Sequence, residues 1–290
     1  MSDLEKELLK MVDDIFNVTE KDHKKILKLY KQSEENIISF FNSLFSEYGT
    51  DGQLELTEIQ KYNRAKKIEE FLQNEAKSLI KAEIALTTSI LFAAYTATYY
   101  KSTYYMESNL GIAINFKLLN KEIISEVVNF DWSGIPFSTR IYNNHQNLIN
   151  TLRTELFNGI RQGESVDKIA RRVRKQMGIR YHHSQVLIRT ESARVISSAQ
   201  ERIYQDSGAV EGIIFTATLD SKTTDYCQKN DSKRWKIDDP KRPKLPAHIS
   251  CRSCWIPAAK NYQPKKRKDN ETKGIIQYKS YEEWAKAKKI

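Results

Sequence analysis

Apolar residues recur at helical spacing through most of the first two hundred positions. Leu4, Leu8, Leu9, Val12, Ile15 and Phe16 fit one face of a 3.6-residue period, as do Ile26, Leu27, Leu29 and Tyr30. TEKDHKK at 19–25 has the form of an N-cap followed by acidic and then basic residues, so a helix start is expected there. Gly49 and Gly52 interrupt the pattern. A second long helical region is expected from about 54 to 107, with Leu56, Ile59 and Tyr62 leading into it. Within it, residues 84–100 carry no charge, but four Thr, one Ser and three Tyr dilute the stretch. It reads as a buried bundle helix rather than a membrane span. SNLGIAINF at 108–116 reads as a loop or extended piece, and NFDWSGIPFSTR at 129–140 as a junction.

Three glycine-punctuated helices follow. Leu148, Leu152, Leu156 and Ile160 step by four and end at Gly163; a second helix runs from a Ser165 cap to Gly178; a third covers 182–208. His182 and His183 are read as capping or surface residues of the third. After Gly208 the period changes. VEGIIFTATLD at 210–220 is rich in β-branched residues and predicts a strand, with shorter strands at 233–239 and 251–259. From 261 the chain is polar and lysine-rich and is expected to be partly disordered or draped over a partner, with one short helical pattern at Tyr281, Trp284 and Ala285. The expected fold class is α+β: mostly helical N-terminal and central regions, a small antiparallel β subdomain near the C-terminus, and a basic tail. The expected divisions are 1–140, 145–258 and 259–290.

Charge sharpens this picture, because it is uneven. Residues 222–290 hold 19 Lys and Arg against 8 Asp and Glu, while the remaining 221 residues hold 28 against 29. A chain polarised in this way suits a polyanionic partner at one end. The compact basic run Lys265, Lys266, Arg267 and Lys268 is the candidate phosphate contact for non-specific double-stranded DNA, supported by Lys286, Lys288 and Lys289. ARRVRKQ at 170–176 reads equally as a phosphate contact and as a solvated helix face. The N-terminus lacks the basic and apolar regions of a signal peptide.

The three cysteines, Cys227, Cys251 and Cys254, fall within 28 residues together with His248. Zinc prefers four Cys or His ligands in a tetrahedron, so these four residues form a candidate site that would help a small β subdomain fold. Reduced, buried thiols beside a hydrogen-bonded histidine are the plain alternative. Their odd number and late position do not make a disulfide framework, which fits synthesis in a reducing, cytosolic compartment. Walker A, dinucleotide-binding and HExxH patterns are absent from the sequence. Cys227 and His248 can also be read as a thiol nucleophile and its base, as in a toxin-like nuclease, and a zinc-stabilised nucleic-acid-binding protein is a further alternative.

The residues that carry this chemistry also carry a resemblance. A strand ending in Asp220, a threonine-rich turn with Thr223, then Cys227, Pro246, His248, Cys251 and Arg252, resembles the C-terminal signature of the phage Mu F-like minor head proteins. Upstream, Arg189, Thr190, Glu191 and Arg194 are similar to that family's Arg-Thr-Glu helix. The match covers about 145–258. Asn230 stands where many relatives carry a second cysteine. The resemblance implies a virion protein present in few copies inside the capsid near the portal vertex. Its expected partners are the portal, with scaffold or major capsid protein besides, and it implies no established catalytic activity. Arg189, Glu191 and Arg194 are expected to pin their helix to the β subdomain.

Overall fold

The computed structural model describes residues 4–55, 57, 64–111, 113–259, 265–269, 271–272 and 274–288, with the side chain of Lys268 excepted. Leu56, Ile59, Tyr62 and Lys289 lie outside these. Among the described residues are seven helices: α1 (Leu4–Tyr48), α2 (Arg64–Leu110), α3 (Lys121–Asn129), α4 (Phe137–Arg161), α5 (Val166–Ser207), α6 (Asp225–Asn230) and α7 (Tyr281–Lys288). The strands are β1 (Val210–Thr216), β2 (Arg234–Trp235), β3 (Cys254–Ala259), β4 (Lys266–Lys268) and β5 (Ile275–Gln277). The α+β class, helical to 207 with a small antiparallel sheet afterwards, is as the sequence predicts.

Two helix boundaries differ from expectation. Residues 19–25 lie inside α1, where the Thr19 hydroxyl donates to Phe16 O at 2.8 Å instead of capping a helix start. Gly178 does not stop a helix: α5 runs through it. A single glycine costs a helix about 1 kcal/mol, which flanking turns with buried Ile169, Val173, Met177 and Ile188 outweigh. His182 and His183 are accordingly exposed residues of the helix interior. By length and composition α2 could cross a membrane, yet Ile90, Leu91, Ala94, Tyr95, Thr98 and Tyr99 within it are buried inside the protein.

The chain divides into two compact units, neither a consecutive stretch. The helical unit comprises 22–88 and 131–186. Ile26, Tyr30, Ile37 and Phe41 of α1, Ile68, Leu72 and Leu79 of α2, and Leu148, Leu152 and Leu156 of α4 are its buried stripes. Phe40 stacks on Phe71 with centroids 4.0 Å apart. Gly159 allows α4 to approach α5 closely, because a Cβ there would lie 2.7 Å from Ile169 Cγ1. Gly163, at φ +65°, ends the α4 turn, its N–H donating to Ile160 O. Tyr30, Glu83 and His145 meet in the buried interior. The tyrosine hydroxyl donates to Glu83 Oε2 at 2.9 Å, and His145 Nε2 lies 2.7 Å from the same oxygen.

The mixed unit comprises 1–21, 89–130 and 187–290. Its sheet has the order β2-β1-β3 and is antiparallel throughout. β1 pairs Ile214 with Ile256 and Phe215 with Trp255 of β3, and every residue of β3 is buried. Strands buried this fully read as continuous apolar runs. The α5 helix holds β3 by polar contacts: Tyr204 donates to Trp255 O at 3.0 Å, and Trp255 Nε1 donates to Glu201 Oε1 at 3.0 Å.

The described part of the C-terminal segment is folded, contrary to the expected disorder. β4 and β5 form an antiparallel hairpin, and α7 follows. Tyr281 and Trp284 pack with Leu219 in one buried cluster. Arg267, expected to face DNA, is 1% exposed. Its guanidinium donates to both carboxylate oxygens of Asp231 at 2.8 Å, to Ala217 O at 2.6 Å and to Lys279 O at 2.8 Å. A β4 side chain directed inward must be neutralised, and Asp231, the C-cap of α6, supplies the opposite charge.

Candidate metal centre and its cleft

Cys227 is placed by a chain of local bonds after β1. Thr223 N–H donates to Asp220 O at 3.2 Å, and its hydroxyl donates to Asp220 Oδ1 at 3.1 Å and to Thr218 O. This turn starts α6, and Cys227 sits on the buried side of that short helix. The second wall is the loop before β3. Cys251 N–H donates to His248 O at 3.2 Å, closing a turn in which Ser250 takes φ 57°. Thr190 of α5 fixes this turn by accepting Ser250 N–H at 3.0 Å. Arg252 pairs with Asp220, tying the two walls together.

The result brings Cys227, His248 and Cys251 into one cluster whose three donor atoms lie within 4.8 Å of one another. Cys227 Sγ is 3.3 Å from His248 Nε2. His248 Nδ1 is 2.9 Å from Ile249 O, so it donates there, which leaves Nε2 of the neutral ring as the acceptor. The Cys227 thiol thus has two acceptors in reach, His248 Nε2 and Cys251 Sγ. Its hydrogen bond to Cys251 is the main reason that Cys251 ionises low, at about 5, although burial opposes this. The same interaction, with burial, pushes Cys227 up.

These atoms can hold a metal. A tetrahedral zinc with bonds of ~2.0–2.3 Å places its ligand atoms roughly 3.3–3.8 Å apart, a spacing the 3.3 Å sulfur–nitrogen distance already matches. Two sulfurs and an imidazole favour a borderline-soft ion over magnesium or calcium.

Cys254, the fourth expected ligand, is not in this cluster. It opens β3 opposite Thr216 and is fully buried. Burial pushes its thiol up, and so do the negative charges of Asp13 and Glu5. The strand that begins at Cys254 pairs it with β1, apart from the loop that carries Cys251.

The cluster lines a cleft of about 850 Å³. Its other walls include Thr218, Asp220 and Ser250, and residues from far away in the chain: Asp13, Phe16, Asn17 and Glu20 of α1, and Arg189 of α5. Arg189 pairs with Glu20 across this cleft. No signal in the sequence ties α1 to the cysteines, because the two are separated by some two hundred residues. Arg194 also departs from expectation. It pairs with Glu191 at 2.7 Å and donates to Val127 O and Val128 O, at 2.7 and 2.9 Å, so it secures α3 rather than the sheet. Of the Arg-Thr-Glu helix, it is Thr190 that reaches the loop carrying His248 and Cys251.

Lys265 and Lys266 are exposed, Arg267 is buried against Asp231, and Lys288 pairs with Asp269 at 3.0 Å. The basic run is therefore split, with only its first two lysines presented to solvent among the side chains described.

Residues 150–256 match the family model described as phage Mu protein F like protein, the family that the motifs resemble. Nearly the whole chain aligns with a further protein, the minor head protein GP7 of Bacillus phage SPP1. The two are 23% identical over 303 residues, covering 98% of this chain and 97% of that one. A second relative, the NAD(+)–arginine ADP-ribosyltransferase EFV of Enterococcus faecalis, is 27% identical over 201 residues. That alignment covers 64% of this chain and only 41% of the relative. No solved structure matches.

Proposed function

We propose that this chain is a phage minor head protein, a structural component of the virion placed inside the capsid near the portal and contributing to head assembly. The observation that carries this reading is the end-to-end alignment with a minor head protein, which includes the N-terminal helices as well as the Mu F-like segment. The site supports a structural role over a thiol-nucleophile one. Cys227 is 1% exposed, and His248 is oriented by its neighbour's carbonyl rather than by a carboxylate or amide.

On this reading a zinc ion held by Cys227, His248 and Cys251 ties α6 to the loop before β3 and stabilises a small sheet. DNA contact rests on Lys265 and Lys266, through phosphates alone and without sequence preference. With about two phosphates neutralised, log affinity should fall with log salt at a slope of roughly −1.8. Heads purified from infected cells test the role directly. The chain should co-sediment with DNA-filled heads at a few copies each, and its absence from them would overturn the assignment. A duplex titration of the double variant Lys265→Glu/Lys266→Glu tests the DNA contact, which is removed from the reading if affinity and salt slope stay unchanged.

A further inference from the structure

We infer that the metal held by Cys227, His248 and Cys251 keeps one exchangeable coordination position, open to the cleft, that takes a single nitrogen or oxygen donor such as an imidazole or a carboxylate. This rests on the zinc reading above and goes beyond it, since a purely structural zinc is closed by four protein ligands. Three protein donors converge here, and the remaining cysteine is directed elsewhere. Of the four carboxylates that line the cleft, Asp220, Glu20 and Glu271 are engaged by other partners. Asp220 accepts from Lys222 N–H, from the Thr223 hydroxyl and from Arg252; Glu20 accepts from Arg189; Glu271 accepts from Ser221 N–H. Both cysteines are buried and the imidazole is half-buried, and all three residues line the one cleft. Three protein donors facing one cleft form the donor set of a zinc site whose fourth position exchanges. A histidine or acidic side chain of a docking protein has the chemistry to fill that position, and free imidazole is its simplest mimic.

Cobalt(II) exchanged into the full-length protein reports both points. The expected spectrum is that of a four-coordinate ion with two thiolates, and its visible bands should shift saturably as imidazole is added. Cys254→Ser should leave the spectrum and the shift unchanged, whereas Cys251→Ser should lose most of the sulfur-to-cobalt absorption. If neither zinc nor cobalt binds near one equivalent per chain, the zinc reading itself fails. If cobalt binds but its bands ignore imidazole, the site is closed and this inference is overturned while the zinc reading stands. Loss of the signal in Cys254→Ser overturns it equally, because Cys254 would then be the fourth ligand.

Discussion

Each unit of the molecule buries charge, and the two do so differently. In the mixed unit, Arg267 and Asp231 are each held by several hydrogen bonds. The guanidinium has two carboxylate and two carbonyl acceptors, and Asp231 also accepts from Ala217 N–H at 2.8 Å and Tyr281 N–H at 2.7 Å. In the helical unit, Tyr30, Glu83 and His145 share a single oxygen. Glu83 Oε1 and His145 Nδ1 have no hydrogen-bond partner among the described residues. A satisfied buried network fixes one arrangement of the chain, whereas an incomplete one is a cost that apolar packing can remove. The first therefore defines how the C-terminal segment docks. The second is expendable to the stability of the helices around it.

Substitution tests that contrast most severely at Arg267. Arg267→Met leaves Asp231 buried without its counter-charge and should cost about 3–5 kcal/mol. A loss under about 1 kcal/mol in urea denaturation would mean that the clamp does not hold the segment. The opposite sign is expected in the helical unit. Tyr30→Phe, Glu83→Met and His145→Leu combined should be neutral or stabilising by up to about 4 kcal/mol, since packing replaces three polar groups. Strong destabilisation of that triple variant would show that the cluster is structural after all. The smallest effect belongs to Asp269, at the edge of the clamp. Burial alone would raise its carboxyl, but Lys288 and the N–H groups of Thr272 and Glu271 outweigh it and hold it at about 2, against an ordinary 3.8. Its contribution is thus complete above pH 3.8 and is lost as pH falls through about 2. Asp269→Asn should cost on the order of 1 kcal/mol at neutral pH, because Lys288 is partly exposed. It should also remove that acid-dependent step from the fluorescence of Trp284, and an unchanged acid transition would assign the step to another carboxylate.

The α+β order, the short sheet and three of the four candidate ligands are legible in the sequence because each depends on local period or close spacing. Cys227, His248 and Cys251 need only a returning loop to meet. Cys254 departs from that pattern because C-x-x-C spacing suggests a knuckle, and here the second cysteine is the first residue of a strand. The expected helix ends at Thr19 and Gly178 fail for a related reason. Capping residues and glycines mark where helices can stop, while packing decides whether they do. Composition misleads most at the C-terminal segment. Lysine content predicts a solvated tail, but a single arginine directed inward, two aromatic side chains and one distant aspartate are enough to fold it. That pairing spans 36 residues and leaves no periodic trace.

The same 36-residue interval sets an order of events in the making of the protein. Asp231 leaves the ribosome well before Arg267, and a nascent chain that stops short of Arg267 has no counter-ion for it. Until then the carboxylate must stay hydrated, so the space between Ala217 and Tyr281 cannot close. The helices packed by their own stripes can assemble during translation, but the mixed unit is sealed only once Arg267 and α7 have been made. Closure of this unit is thereby tied to synthesis of the segment that carries Arg267, and the step that seals it also sets the two exposed lysines beside the buried arginine in place.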